Sequence, residues 1–299
     1  MRNILRCRIL FVNIWRFYCN MQLTPEQVKG RIKNFARQNN ADARILMRIY
    51  MMERFLERVA NSSYADDFVI KGGILVTSMV GVAMRSTMDI DTSIRNINLT
   101  EGELLRVIGE IAALDMEDDV SFKVKNVSSI MDEMEYPGIR IAIDAYLGQM
   151  VTPIKIDVST GDVITPGAIE YNYDLMLEKR AIKLWSYNLE TILAEKMQTI
   201  LSRGVLNTRM RDFYDVYTLT VRYEERVDAL VLKQAFKATC TKRSTTDLLS
   251  LGDNIIDRIQ KDNNLETQWK SYQRKYEYAR EISFDEAINK VKDLYEMLE

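Results

Sequence analysis

The chain has 299 residues, of which 47% are hydrophobic and 28% are charged, and its formal net charge is −2. These values are typical of a soluble globular protein with one large or two modest domains. The slightly negative net charge excludes an overall positive charge that would attract nucleic acid. Histidine is absent, so catalysis must rest on carboxylates, Lys, Arg, Tyr, hydroxyls and metal rather than on histidine nucleophile chemistry or histidine-ligated zinc. The three widely spaced cysteines predict neither a zinc site nor a disulfide framework, which favours a reducing cytoplasm.

The first 20 residues differ from the rest of the chain because they carry four arginines and no acidic residue. Their apolar run, from Ile9 to Trp15, is interrupted by Asn13 and followed by Arg16, and it has no small-residue cleavage site. The run is also too short and too charged to span a bilayer. We interpret residues 1–20 as a non-core extension upstream of a start at Met21.

Two helices are predicted before the first strand. Thr24 is a capping residue followed by Pro25 at the first helical position, and this helix is expected to continue through Asn34. A second helix over about residues 41–61 has an apolar stripe, which predicts that it covers one face of a sheet.

The most informative stretch runs from residue 67 to residue 94. An apolar run over residues 68–70 ends in Lys71-Gly72-Gly73, and the glycines let a backbone approach a phosphate at the start of the helix that follows. Period-2 alternation then predicts a strand that carries Thr87, Asp89 and Asp91 on one face. Carboxylates two apart on a strand lie about 7 Å apart at their α-carbons and can converge on Mg²⁺. An isolated pair of this kind is more often a solvated strand face, so the interpretation depends on its surroundings.

A helix and a set of strands follow. Thr100 and Glu103 resemble a capping box that starts a helix reaching about Leu114. The predicted strands cover residues 120–128, 138–147, 151–159 and 181–187. The third of these strands carries Asp157, which is a candidate third carboxylate that binds the ion or activates the attacking hydroxyl. The alternative is that Asp157 is a surface residue near a sheet edge.

The chain beyond residue 187 is predicted to be entirely helical. The helix over residues 189–203 places Lys196 on or beside its buried stripe, where an unpaired charge is costly, and Arg203 extends the same side. The alternative is that Lys196 reaches solvent from a boundary position.

The next helix, over about residues 208–222, opens with a dense group of charges. Arg211 and Asp215 are spaced i,i+4, and Asp212 and Asp215 are spaced i,i+3. An exposed helical ion pair would explain this spacing, but a helical hairpin with the preceding helix could also present Lys and Arg to a triphosphate.

Four more helices are predicted over about residues 227–240, 244–260, 264–279 and 283–298. They contain a basic cluster and an interleaved set of aromatic and charged side chains. The cluster consists of Lys233, Lys237, Lys242 and Arg243, and the interleaved set consists of Tyr272, Lys275, Tyr276 and Tyr278. Either group could contact RNA, but the pattern favours a solvated helical face. A composition shift near residue 186 predicts two domains, over residues 21–186 and 187–299.

Taken together, these motifs resemble the AbiEii/AbiGii nucleotidyltransferase toxin family, within the DNA-polymerase-β-like superfamily. The resemblance covers about residues 21–220. The motifs are Lys71-Gly72-Gly73, Arg85-x-Thr87-x-Asp89-Ile90-Asp91, Lys155-Ile156-Asp157, Glu195-Lys196 with Arg203, and Arg211-Asp212-Phe213-Tyr214-Asp215. The resemblance implies an α/β fold of the α+β type, with a mixed sheet flanked by helices and a C-terminal all-helical domain.

The resemblance also implies roles for particular residues. Asp89 and Asp91 would hold Mg²⁺, with Asp157 as a third metal ligand by pattern only, and Lys196 and Asp212 would complete the catalytic set. The implied nucleotide-binding residues are Lys71, Gly72, Gly73, Arg85, Thr87, Arg203, Arg211 and Asp215. Many nucleotidyltransferases have Gly-Ser close before the paired aspartates, whereas this chain has Gly-Gly at a longer spacing.

As implied by the resemblance, the function is Mg²⁺-dependent transfer of NMP from an NTP, GTP or CTP in particular, to RNA. The expected acceptor is tRNA, and the expected outcome is growth arrest in abortive infection, phage defence or a toxin–antitoxin system. The expected partner is an antitoxin from the same operon, with or without a stable complex, and the expected location is the cytoplasm without membrane association. The alternatives are transfer to a protein or small-molecule hydroxyl, and an NTP-binding regulator without turnover.

Overall fold

A computed structural model of the chain describes residues 23–130 and 138–298. The predicted extension over residues 1–20 lies outside the described residues. Ten helices are described: α1 (Pro25–Gln38), α2 (Ala43–Ala60), α3 (Gly72–Val80), α4 (Glu101–Ala112), α5 (Leu189–Arg203), α6 (Met210–Tyr223), α7 (Ala229–Lys242), α8 (Leu248–Gln260), α9 (Asn263–Lys275) and α10 (Phe284–Glu296). The strands are β1 (Phe68–Lys71), β2 (Ile90–Ile94), β3 (Val120–Ile130), β4 (Gly138–Leu147), β5 (Met150–Thr160), β6 (Ile169–Asp174) and β7 (Ala181–Ser186).

The strands form one seven-stranded mixed sheet in the order β3-β4-β5-β2-β1-β7-β6. Strand β2 runs antiparallel to β1 and parallel to β5, and β1 runs parallel to β7. The β1–β2–β5 centre therefore brings together segments that are almost 90 residues apart in sequence. The glycine motif directly follows β1, and the aspartates lie on β2 and β5 or just before β2, so the motifs lie at the centre of the sheet.

One face of the sheet forms the core and the other carries the polar motif residues. Ile90 pairs with Ile156, and Ile141 pairs with Ile156 from the other side, so the apolar side chains of β2, β4 and β5 share a face. Helices α2 and α4 pack on the sheet, and their apolar residues belong to the same buried core. The prediction that the second helix covers a sheet is therefore confirmed.

Local sequence signals explain most helix starts. Thr24 and Gln27 form a reciprocal capping box with Pro25 at the first position of α1. The Asn188 side chain caps α5 by accepting a hydrogen bond from the Thr191 amide. These caps fix where the helices begin, and the predicted bounds of α5 are correct to the residue.

One strand prediction was wrong in part, and one strand was not predicted. The strand with the paired aspartates begins at Ile90, so Thr87 and Asp89 precede it rather than lie within it. The reason is that β1 ends at Lys71, opposite Asp91, so earlier residues have no β1 partner. Strand β6 was not predicted because it is an edge strand whose side chains, except that of Tyr173, remain at least partly exposed.

All described elements after Ser186 are helical, and the predicted fold class is confirmed: a mixed sheet flanked by helices, followed by C-terminal helices. The division into two domains near residue 186 stays a prediction. None of the helices in the described ranges combines the length and the apolar character that crossing a membrane requires.

Candidate active site

A cleft of about 1050 Å³ lies between the polar face of the sheet and helices α5, α6 and α9. All the predicted site residues except Asp215 line it: Lys71, Gly72, Gly73, Arg85, Thr87, Asp89, Asp91, Asp157, Lys196, Arg203, Arg211 and Asp212. Residues that are more than 120 positions apart in sequence therefore share one cavity. Asp215 lies just behind the wall, where it is fully buried.

A row of four charged side chains crosses the floor of the cleft. Strand register aligns Arg140 with Asp157, Asp157 with Asp91, and Asp91 with Lys71 across β4, β5, β2 and β1. The row therefore reads positive, negative, negative, positive. Asp89 lies next to the two central acids, just before β2 begins.

The ends of this row are neutralised more fully than its centre. Arg140 donates two hydrogen bonds to the Asp157 carboxylate, at 2.8 and 2.7 Å. Lys71 donates to Ser159 and to Asp162, each at 2.7 Å, rather than to its neighbour Asp91. The negative charge that remains is therefore concentrated on Asp89 and Asp91.

The glycine pair is packed directly against the acids. Gly72 has φ +55°, and a Cβ atom there would overlap the Asp91 carboxylate. A Cβ atom on Gly73 would lie 2.6 Å from the Thr87 hydroxyl oxygen. The Gly73 amide donates a 2.8 Å hydrogen bond to Asp91 Oδ2, so one amide at the start of α3 holds this aspartate in place.

Burial and neighbouring negative charge raise the pKa values of Asp89 and Asp91. Burial and then the negative charges of Asp157 and Asp91 raise the pKa of Asp89. Burial also raises the pKa of Asp91, with Asp157 acting in the same direction and the Gly73 hydrogen bond opposing it. Mutual repulsion between partly buried carboxylates is relieved by a bound cation.

The negative charge that remains on Asp89 and Asp91 makes this part of the cleft suitable for a divalent cation. Asp89 and Asp91 supply hard oxygen donors, which suit Mg²⁺. Within residues 23–130 and 138–298, no three Asp, Glu or Cys side chains converge into a ready-made metal cage. Asp157 is held by Arg140 on both oxygens, so its predicted role as a third ligand stays a prediction.

The wall opposite the sheet contains a buried ionic network around Lys196. Its ammonium lies 2.8 Å from Asp212 and 2.7 Å from Asp215, and the Lys196 side chain is only 12% exposed. Burial disfavours the ammonium, but Asp212 and Asp215 more than offset this and raise the pKa of Lys196. The alternative in which Lys196 reaches solvent was therefore wrong.

Asp215 connects this network to the glycine turn. Arg85 donates two 3.1 Å hydrogen bonds to Asp215 and a 2.7 Å bond to the Gly73 carbonyl. Burial alone would raise the pKa of Asp215, but Arg85 and Lys196 lower it to about 2. Since Asp212 and Asp215 are both buried, their interpretation as an exposed helical pair was also wrong.

The remaining predicted cations lie nearer the mouth of the cleft. Arg203 is exposed at the end of α5. Arg211 donates a 3.0 Å hydrogen bond to the Tyr276 hydroxyl, and its guanidinium lies 5.5 Å from the centre of that ring. Tyr272, Lys275 and Tyr276 line the cleft. Tyr272 is buried and Tyr276 is half-buried, so the sequence preference for a solvated face was wrong for these two tyrosines, whereas Lys275 is exposed as that preference expected.

Sequence reasoning missed several lining residues. Arg140 lies on the polar face of a strictly alternating strand, and this alternation was the available signal. Arg209 donates a 2.7 Å hydrogen bond to Asp212, at an i,i+3 spacing that could have been noticed. Asp162 and Tyr187 follow strand ends and carried no local signal.

Neighbouring carboxylates that face a cationic helical wall across a cleft form a site suited to enzymes that act on phosphates. Comparison of the sequence with models of known protein families identifies the class of enzyme. The family model "Nucleotidyl transferase AbiEii toxin, Type IV TA system" matches residues 54–290, which is more than half of the chain. The chain belongs to this family and is a nucleotidyltransferase, so the resemblance found from the motifs is confirmed.

Three solved structures are similar at low sequence identity. A Helicobacter pylori protein described as a candidate nucleotidyltransferase is 16% identical, with a TM-score of 0.46 over 86% of this chain and 97% of its own. JHP933 from Helicobacter pylori is 14% identical, with a TM-score of 0.46 over 86% and 94%. An antigenic nucleotidyltransferase-like protein from Paracoccidioides brasiliensis is 16% identical, with a TM-score of 0.39 over 71% and 93%. No curated protein sequence matches the chain significantly.

Proposed function

We propose that this nucleotidyltransferase transfers NMP from an NTP, GTP or CTP in particular, to a hydroxyl of RNA, with tRNA as the acceptor and Mg²⁺ as the cofactor. The observation that carries the proposal is the uncompensated negative charge of Asp89 and Asp91, opposite the cationic wall formed by α5 and α6. Such a cleft can hold a metal-bound triphosphate between its two walls.

Each wall has a separate task in this proposal. Asp89 and Asp91 would hold Mg²⁺, and when bound the ion supplies alignment of the reacting oxygens and offsets charge on the departing pyrophosphate. Asp157 lies beside Asp91, on the neighbouring strand β5. In this proposal its carboxylate would act on the attacking hydroxyl. Its Arg140 partner holds this carboxylate in place with two hydrogen bonds.

The cations divide between positioning and phosphate binding. Lys196 and Arg85 are held by buried aspartates, so they fix the relative positions of α5, α6 and the glycine turn. Arg203 and Arg211 lie nearer solvent and are placed to bind the triphosphate or the RNA backbone. The mixture of tyrosines and cations at the C-terminal end of α9 and just after it suits RNA better than a small-molecule acceptor.

Membership of a type IV toxin–antitoxin family implies an antitoxin partner. We expect that antitoxin to be encoded in the same operon, with or without a stable complex. We also place the protein in the cytoplasm, where charged tRNA is used, and expect transfer to cause growth arrest during abortive infection or phage defence.

The direct test incubates the protein with total tRNA, Mg²⁺ and each labelled NTP in turn, with wild type and Asp91→Asn compared on a denaturing gel. Asparagine can still accept the Gly73 hydrogen bond but removes the charge. Label in RNA that is lost in Asp91→Asn would support the proposal and identify the nucleotide. Asp174→Asn, an exposed acid on β6 outside the cleft, is the matched control and should keep wild-type labelling.

Other outcomes would redirect the proposal. Label in protein rather than RNA would indicate a protein-modifying transferase. Bound NTP without any transfer would indicate a nucleotide-binding regulator. Wild-type labelling by Asp91→Asn would contradict the assignment of this aspartate to the catalytic site.

A further inference from the structure

A second polar cluster lies in the same cleft, around Lys71. We call it the Tyr187 subsite, and it consists of Lys71, Asp162, Tyr187, Glu195 and Arg243. Tyr187 follows β7, and its amide donates to the Ile70 carbonyl, which places the ring directly beside Lys71. None of the roles proposed above uses this subsite.

The Tyr187 hydroxyl is the unusual feature of the subsite. The residue is only 2% exposed and lines the cleft, but its hydroxyl has no hydrogen-bond partner among the described residues. Burial, followed by the nearby charges of Glu195 and Asp162, holds the pKa of Tyr187 well above its ordinary value. The phenol therefore remains protonated. Its hydroxyl interacts with the Asp162 side chain without forming a hydrogen bond within 3.5 Å, so a ligand hydroxyl can still take up its hydrogen-bonding capacity.

The neighbouring charges are more fully paired than the tyrosine. Lys71 donates to Ser159 and Asp162 at 2.7 Å, and its ammonium lies 5.7 Å from the centre of the Tyr187 ring. Arg243 lies 3.4 Å from Glu195 Oε1. Since one arginine contacts this carboxylate at a long distance, Glu195 retains acceptor capacity in the cleft.

These groups select the chemistry of their ligand. Two carboxylates, Asp162 and Glu195, repel a phosphate, whose oxygens only accept hydrogen bonds. Lys71 lies over the Tyr187 ring and competes with base stacking on that face. A sugar hydroxyl both donates and accepts, so it can donate to Glu195 and accept a second hydrogen bond from the Tyr187 hydroxyl.

We propose that Tyr187 and Glu195 bind a ribose hydroxyl and thereby select ribonucleotides over deoxyribonucleotides. The inference rests on the proposed function for its substrates, which offer two sources of the hydroxyl: the NTP and the terminal nucleotide of the acceptor RNA. A site that hydrogen-bonds a substrate hydroxyl rejects the analogue lacking it, because the buried polar groups of the site are then left unpaired.

The test measures equilibrium binding rather than transfer, so it does not depend on turnover. In the nucleotide arm, α,β-methylene NTP is compared with its 2′-deoxy and 3′-deoxy counterparts by calorimetry. In the acceptor arm, a short RNA is compared with RNAs that end in a 2′-deoxy or 3′-deoxy nucleotide. We expect wild type to prefer the ribo form by about tenfold or more in one arm, and Tyr187→Phe to reduce that preference to about twofold or less.

The arm in which the preference is lost identifies the source of the ribose. An equal ribo preference in wild type and Tyr187→Phe in both arms would overturn the inference. So would a wild type that binds ribo and deoxy forms equally. Neither result would affect the proposed function, which fails instead if bound NTP is never transferred.

Thermal unfolding separates recognition from a structural role. Tyr187→Phe removes a hydroxyl that has no protein partner, so we expect an unchanged or higher Tm. The control is Tyr223→Phe, which removes a hydroxyl that donates to the Met79 carbonyl at 2.7 Å outside the cleft. This control should have a lower Tm and wild-type discrimination, whereas a lower Tm with wild-type discrimination in Tyr187→Phe would assign that hydroxyl to stability and overturn the inference.

Discussion

Asp215 is the residue on which the buried ionic network depends. It is fully buried and pairs with both Arg85 and Lys196, which are themselves almost enclosed. Removing Asp215 leaves the buried Arg85 without its carboxylate partner and Lys196 with Asp212 alone, and breaking a buried ion pair in this way costs about 3–5 kcal/mol. We therefore expect Asp215→Ala to lower the free energy of unfolding by that amount, as measured by urea denaturation.

The matched control for this prediction is Asp174→Ala, an exposed acid whose loss should change the free energy of unfolding by less than about 0.5 kcal/mol. Equal stability of the two variants would mean that Arg85 and Lys196 find other partners. In that case the network could not be the element that fixes the cationic wall.

Arg140 and Asp157 give a second prediction at the residue scale. Arg140 occupies both oxygens of Asp157 and adds a positive charge beside Asp89 and Asp91. Arg140→Gln should therefore bind Mn²⁺, used as a spectroscopic substitute for Mg²⁺, about three- to tenfold more tightly than wild type. Electron paramagnetic resonance titration measures this directly, without turnover. Weaker binding would show instead that Arg140 orients Asp157 as a ligand.

These residues also show what the sequence could and could not predict about the site. Alternation within β5 correctly placed Asp157 on the opposite face from Ile156. The partnership of Asp157 with Arg140 depends on the register between two strands, and no local pattern in either strand contains that register. The sequence therefore predicted which acidic residues belong to the site, but not which of them would be paired with a cation.

At the scale of elements, the turn from β1 into α3 is the tightest part of the site. Its two glycines contact side chains that follow 12 to 19 residues later, because the chain returns after α3 onto the start of that helix. Sequence predicted glycines for close approach to a phosphate. In the structure, the close approach is to Asp91 and Thr87, which are part of the protein itself.

Substitution of these glycines should consequently disturb the paired aspartates. Gly72→Ala forces a side chain into the left-handed region and onto the Asp91 carboxylate, so we expect NTP affinity to fall at least tenfold. Filter binding with labelled NTP measures the change, and circular dichroism checks that the fold is kept.

Gly81→Ala is the control that separates strain from contact. It has φ +98° and meets no atom within 4 Å, so it carries the same kind of backbone strain outside the contact with Asp91. We expect Gly81→Ala to lose stability but to keep its affinity for NTP. Equal loss of affinity in both variants would indicate general destabilisation rather than a specific effect on Asp91.

At the scale of the whole molecule, the sheet was largely predictable from the sequence. The arrangement of the helices that follow it was not. Helix positions followed from caps and apolar periodicity, as the exact bounds of α5 show. The folding of α9 back across the cleft depends on tertiary packing of its buried residues Leu265 and Trp269, which amphipathic pattern alone does not orient. The interpretation of Tyr276 as solvated was wrong for this reason.

The pH dependence of folding is a property of the whole molecule that one buried acid should influence. Glu53 on α2 is 1% exposed, and burial raises its pKa to about 8, although the Met176 amide donates to Oε1 at 3.0 Å. Its other oxygen has no partner within the described residues. Between the ordinary pKa of 4.5 and about 8, the folded protein retains a proton that the unfolded chain has lost.

The contribution of Glu53 to the free energy of unfolding should therefore be largest below pH 4.5 and should decrease as the pH rises to about 8. The slope of this decrease is at most about 1.4 kcal/mol per pH unit. Glu53→Gln keeps the acceptor for Met176 and cannot ionise, so it should match wild type near pH 5 and be clearly more stable near pH 8. Urea denaturation of both proteins from pH 5 to pH 9 measures the difference. Because Asp89, Asp91 and Glu195 are unchanged in the variant, the difference isolates Glu53, and parallel curves would mean that Glu53 is ionised in the folded protein throughout this range.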